Sequence, residues 1–134
     1  MTPRLLRAYR QTIYRVDNIA FRVGYRCAAI DDLLREYGTR TAVLITAHNP
    51  YSHRMPDGWN ARMQAGLAER LRRRPVLYGS GTGCGWSETH ILVFGAPAPI
   101  VRLAREMRQN GIVILRAGQP VRLRLLLSAP VRVA

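Results

Sequence analysis

Apolar positions in this chain fall into two rhythms, one of strands and one of helices. Thr41 to Ile45 is a continuous apolar run of strand length, the pattern of a central strand covered on both faces. Ile30, Leu33, Leu34 and Tyr37 fall at i, i+3, i+4 and i+7, which predicts a helix over Ala29 to Tyr37. Asp31 and Asp32 stand in its first turn and Gly38 just past its end. A second helix is predicted over Asp57 to Arg74, capped by Asp57 and stopped by Pro75. Trp59, Met63, Leu67 and Leu71 would be its sheet-facing stripe. Ile100, Leu103, Ala104 and Met107 predict a third helix beginning near Pro99. Strands are predicted over Tyr9 to Val16, Ile19 to Val23, Val76 to Tyr78, Thr89 to Phe94, Ile112 to Leu115 and Val121 to Leu127. Asp17-Asn18 reads as a turn, and Ser80 to Gly85 as a glycine-rich loop. The order β-β-α-β-α-β-β-α-β-β predicts an α/β (α+β) fold. It would be a single domain over residues 1–134, with a mixed β-sheet covered by about three helices.

Composition agrees with that picture. The chain has 134 residues, 48% hydrophobic and 22% charged, which suits one globular core. No apolar run reaches bilayer length, so a cytoplasmic protein without a membrane partner is expected. The start, Met1 to Arg7, is basic but leads into no signal-peptide core. It is free of acids up to Asp17, a faint transit-peptide character that the strand reading outweighs. Cys27 and Cys84 match no metal or redox spacing. They read as buried free thiols, a disulfide between them being the alternative.

Charge changes the picture more. The net charge is +13, and all 21 basic residues are arginine against 8 acids. The absence of lysine looks like a codon bias. The shortage of acids still leaves a positive potential that attracts anions and polyanions. Arg70, Arg72, Arg73 and Arg74 are the densest cluster, an expected anion or nucleic-acid surface with weak, non-specific binding.

Three segments could carry chemistry. Thr46-Ala47-His48-Asn49-Pro50-Tyr51-Ser52-His53 follows the most buried strand, where ligands gather in open α/β sheets. The plainer reading is a turn at Asn49-Pro50. The glycines of Gly79 to Gly85 could bring backbone N–H groups to an anion. However, neither a Walker loop nor a dinucleotide fingerprint is present, and a flexible hairpin is the simpler account. Glu88 and His90, two apart on a strand, share a face and are the candidate acid–base pair. A salt bridge from Glu88 to an arginine is the competing expectation. His48, His53 and His90 with Glu88 or Cys84 show no diagnostic metal spacing, and no metal or cofactor is expected.

Thr46-Ala47-His48-Asn49-Pro50, Ser52, Asn60, Arg62, the glycine segment with Trp86 and Glu88, and Gln109-Asn110-Gly111-Ile112-Val113 together resemble a bacterial family known as domain of unknown function 3293. The resemblance runs from about Tyr9 to Leu127. His48 departs from it, where an aromatic is usual, and so does Gly111, where alanine is usual. The departure at His48 argues against a family-wide metal role there. The resemblance implies a small α/β domain and no particular activity. It also implies that Thr46, Asn49, Ser52, Asn60, Arg62, Trp86, Glu88 and Gln109 line one crevice. Such a crevice suits a polar, anionic or nucleotide-like small molecule in a binding or regulatory module. A small enzyme using Glu88 is the first alternative, and a nucleic-acid-associated protein the second.

Overall fold

The computed structural model describes residues 2–126. Met1 and Leu127, which open and close the expected layout, lie outside the described residues. A seven-stranded sheet forms the middle layer. Its strands are β1 (Ile13–Val16), β2 (Ile19–Phe21), β3 (Thr41–Ile45), β4 (Val76–Gly83), β5 (Trp86–Phe94), β6 (Gly111–Arg116) and β7 (Arg122–Leu125), in the spatial order β2-β1-β4-β5-β3-β6-β7. The α+β class is as expected, but all the pairings are antiparallel rather than mixed. Four helices accompany the sheet: α1 (Pro3–Gln11), α2 (Ala28–Glu36), α3 (Asp57–Arg70) and α4 (Pro97–Glu106).

Strand alternation splits the core into two apolar layers. On one face Val43, Ile45, Ile91, Val93, Ile112 and Ile114 meet Leu67 and Leu71 of α3 and its end, and Ile100, Leu103 and Ala104 of α4. On the other, Ala42, Leu44, Leu92, Phe94, Val113 and Leu115 meet Ile30, Leu33 and Leu34 of α2. The Thr41–Ile45 run is buried on both faces because helices cover both.

Three expectations need correction. The first segment is a helix, not the start of a strand. Thr2 Oγ1 accepts a hydrogen bond from the Leu5 amide at 3.2 Å, and Pro3 follows at the first helical position. None of its residues is buried. In α3 the buried stripe is Asn60, Gln64, Leu67 and Leu71, with Trp59 and Met63 half-buried beside it. Steps of four, three and four follow the helical turn more closely than the constant step of four read from the sequence. The helix also ends at Arg70, and Asp57 stands in its first turn without acting as a side-chain cap.

The third correction concerns the glycines. Ser80 to Gly83 are strand, part of a long β4–β5 hairpin closed by a two-residue turn at Cys84-Gly85. Gly79, Gly81 and Gly83 share the α2-side face at period two. A Cβ on Gly81 would stand 2.9 Å from the His90 ring and 3.1 Å from the Tyr14 ring. A Cβ on Gly83 would collide with the Trp86 indole. Gly81 and Gly83 leave room for rings to lie across them, and Gly79 for the Arg15 carbonyl and Val16 of β1.

Candidate functional site

The site exists because two neighbouring strands differ in length. β3 pairs with β5 only as far as Ile45 opposite Ile91. β5 continues through His90, Thr89, Glu88, Ser87 and Trp86 with β4 alone beside it. The space beyond Ile45 is a cavity of about 970 Å³. Its walls are the 46–55 segment, the N-terminal half of α3, the free end of β5, the start of β6 and the underside of α1.

The 46–55 segment is held by side-chain amides from several elements. Asn60 Oδ1 accepts from the Asn49 amide at 3.0 Å, and Asn60 Nδ2 donates to Asn49 Oδ1 at 2.9 Å. Gln64 Oε1 accepts from the Ala47 amide at 2.9 Å. Gln109 Nε2 donates to the His48 carbonyl at 3.1 Å, and Asn110 Nδ2 to Ser52 Oγ at 2.9 Å. The Thr46 hydroxyl donates to the Thr89 carbonyl at 2.7 Å and accepts from the His48 amide. Held this way, the backbone takes left-handed conformations at Asn49, Tyr51 and Ser52 (φ 48°, 51° and 63°).

Other groups face the cavity with bonding capacity left over. Asn49 Nδ2 reaches Glu88 Oε1 at 3.5 Å, the one hydrogen bond Glu88 makes with its side chain among the described residues. The ion pairs are Arg26–Asp31, Arg35–Asp32, Arg70–Glu106 and Arg72–Glu69, and none includes Glu88. The expected salt bridge is therefore absent among the described residues. Burial pushes the Glu88 carboxyl above its ordinary value of 4.5, with Asn49 pulling part of the way back. His90, buried on the same face, has Nδ1 3.2 Å from the Glu88 carbonyl oxygen, which accepts from the Nδ1–H tautomer. Burial holds it down at about 4, so its ring is neutral at pH 7. Burial likewise lowers His48, against the pull of Asp57. Tyr9 of α1 is pushed up to about 12, first by burial and then by Glu88, with Ser52 and the Gly111 backbone opposing. Tyr14 is raised by burial too. Gln64 Nε2 is buried and has no protein acceptor among the described residues.

Thr46, Asn49, Ser52, Asn60, Trp86, Glu88 and Gln109 thus border one cavity, together with His48 and His90. Arg62 does not; it is exposed on α3. Residues two apart on a helix point in nearly opposite directions, so a cavity that takes Asn60 cannot take Arg62. Tyr9, Tyr14, Arg54 and Gln64 border the cavity as well and escape the sequence reading. The signal for Gln64 was its place four residues after Asn60; for Tyr9, the Thr2-Pro3 helix start. The arginine cluster lies at the other end of α3, away from the β3 terminus. Arg70 and Arg72 are engaged in ion pairs there, while Arg73 and Arg74 are exposed. Cys84 is exposed in the hairpin turn rather than buried, Cys27 is half-buried, and both are free thiols. Among the described residues, no three His, Cys, Asp or Glu side chains are grouped to hold a metal, and no helix is long and apolar enough to cross a membrane.

The fold and the cavity together define an α+β domain with a cleft of mixed polar and apolar lining where β3 ends. Within that class, the chain belongs to the family described as Protein of unknown function (DUF3293), whose match covers residues 45–112, just over half of the chain. That span starts on the last residue of β3 and contains the amide frame and Glu88, while α1 with Tyr9, and Tyr14 of β1, lie before it. The chain matches no curated protein and no solved structure.

Proposed function

We propose that this protein is a small-molecule binding domain whose ligand occupies the cavity beyond β3. The observation that carries this reading is Gln64 Nε2, a buried donor that meets no protein acceptor among the described residues, at the wall of a cavity of about 970 Å³. The neighbouring amides are spent on the 46–55 backbone, and Gln64 cannot be turned over, because its Oε1 is committed to the Ala47 amide. A buried unsatisfied donor costs about 1–3 kcal/mol, which a ligand acceptor would recover. The volume is within the usual range for a ligand of metabolite size. An anionic ligand, expected from the overall charge, finds one arginine in the lining, Arg54, and two carboxylates, Asp57 and Glu88. The charge surplus therefore belongs to the surface, and the cavity has a chemistry of its own. Exposed Cys84 supports a reducing, cytoplasmic location as part of the same proposal.

Catalysis is the second reading, favoured by one observation. Glu88 is a shielded carboxyl with a raised proton affinity inside a cleft, the usual state of a general acid or base.

A thermal-shift screen of neutral, cationic and anionic fragments tests the binding reading. A ligand at a hundred times its Kd adds about 2.7 kcal/mol of stability. Fragments that raise the Tm of the native chain, and lose the effect in Gln64→Leu or Asn49→Ala, are the expected result. A screen in which no fragment stabilises the chain, or in which hits ignore both substitutions, overturns it.

A further inference from the structure

The acids of this chain show where a positive ligand would go. Arginines outnumber acids 21 to 8, so a carboxylate near the surface meets an arginine easily. Asp31, Asp32, Glu69 and Glu106 have done so. Asp17, Glu36 and Asp57 have no ion pair among the described residues, but they are exposed and need none. Glu88 is the one acid that is half-buried and without a cation within 4.0 Å among the described residues. In a protein this rich in arginine, a half-buried carboxylate without an arginine partner is particular to this site.

What surrounds Glu88 is aromatic. Along β5, on the same face, it lies between Trp86 and His90. Across the hairpin it faces Gly81, which has no side chain, and beyond Gly81 in register stands Tyr14. The Tyr14 ring meets the His90 ring edge-on at 5.6 Å. From above, Tyr9 of α1 comes close enough for its hydroxyl to feel the Glu88 charge. Trp86 keeps 39% of its surface exposed, so this wall stays open to a visitor. A carboxylate set among aromatic side chains suits an organic cation by direct charge pairing, and a ring face turned to the bound cation would add to it.

We propose that the Glu88 end of the cavity binds a small organic cation, an ammonium or amidinium group on an apolar body, with Glu88 as its counter-ion and Tyr9, Tyr14 and Trp86 as its walls. This rests on the cavity being a ligand site and adds the ligand's charge class. A neutral or anionic ligand would leave Glu88 shielded and unpaired, whereas a cation completes it.

Three nearly isosteric probes separate charge from shape: benzamidinium, benzamide and benzoate. Benzyltrimethylammonium, added as a fourth, separates ring contacts from hydrogen bonding. Each is titrated into the native chain and into Glu88→Gln by calorimetry and ligand-observed NMR at low salt. The expected order is benzamidinium above benzamide above benzoate. At least tenfold, about 1.4 kcal/mol, should separate the first two. Glu88→Gln should remove that preference, bringing benzamidinium down to the affinity of benzamide in the same variant. Binding of benzyltrimethylammonium in place of benzamidinium also supports a cation site and assigns it to the ammonium type. Tyr9→Ala, which keeps Glu88 in place, should weaken either cation several-fold. Benzamide binding as well as or better than both cations, a preference for benzoate, or a cation preference that survives Glu88→Gln overturns the proposal and leaves the cavity reading standing. Absence of binding by all four probes at millimolar concentration overturns both.

Discussion

The two halves of β5 are one continuous strand with opposite characters. Ile91 to Phe94 is buried on both faces, with β4 on one side and β3 on the other. Trp86 to His90 keeps β4 but has lost β3, and four of its five residues are exposed or half-buried. Nothing within the strand marks the change except the alternation itself, which passes from apolar on both faces to polar on both. A sheet acquires a cleft where one strand stops and its neighbour goes on. Residues on the longer strand then have both a fixed backbone and an open flank. The first half supplies stability and the second a rigid platform for a site, which is where precise placement of ligand-binding groups is easiest to hold.

The sharpest way to break this contrast is to cut into the first half. Leu92 is fully buried between β3 and β4 and packs among Leu44, Val113 and α2. Leu92→Ala is expected to cost about 3–4 kcal/mol by chemical or thermal unfolding. The equivalent truncation four residues along, Glu88→Ala, should cost far less. Equal losses at the two positions would mean that the free end of β5 is as much a part of the core as the paired end.

How far this division could be read from the residues depends on what each one interacts with. Thr41 to Ile45, Ile112 to Leu115 and the stripe Ile30, Leu33, Leu34 are legible because burying them is a property of their own side chains. The shared face of Glu88 and His90 is legible for the same reason, since strand period two is local. Gly79, Gly81 and Gly83 were not legible as strand, because glycine ranks low in strands and their purpose belongs to neighbours: the Arg15 carbonyl and Val16 for Gly79, Tyr14 and His90 for Gly81, and Trp86 for Gly83. Yet their period of two was itself a strand signal. α1 carried a start signal at Thr2-Pro3, but its few apolar positions lie among arginines and none becomes buried. Asn60 and Gln64 were masked because the apolar neighbours Trp59 and Met63 made a competing stripe. Arg62 came from the family resemblance alone, and helix geometry removes it.

Acid exposes the second half of the strand next. The His90 ring is held at about 4 by burial, against 6.5 in the unfolded chain. Its folded value is depressed, so between those limits the unfolded state binds a proton that the folded state refuses. The stability this group provides is complete above pH 6.5 and disappears as pH falls from 6.5 towards 4. The gap corresponds to roughly 3 kcal/mol at most. Unfolding free energies measured across that window should fall in the native chain and fall less in His90→Phe. Parallel curves would show that His90 takes up its proton in the folded state without penalty, and so is not shielded by its contact with Tyr14.

The smallest effect discriminates most finely between the two halves. Were Glu88 a structural ion-pair partner, Glu88→Gln would weaken the fold at pH 7. Its folded value is raised instead, so the folded state favours the protonated carboxyl, and ionisation is what burial opposes. The favourable contribution is present below the unfolded value of about 4.5 and is lost as pH rises through the folded one. At pH 7 the native chain thus carries a carboxylate that its surroundings penalise, while glutamine keeps an oxygen for Asn49 Nδ2 and carries no charge. Glu88→Gln should be equal to or more stable than the native chain at pH 7, by no more than about 1 kcal/mol, the advantage shrinking towards pH 4. Tm values at the two pH values decide it. A loss of stability at pH 7 would place a cation against Glu88 within the chain itself. The free end of β5 would then be structural like the rest of the strand. A gain would show a carboxylate kept at a stability cost, as expected of a group held ready for something that binds.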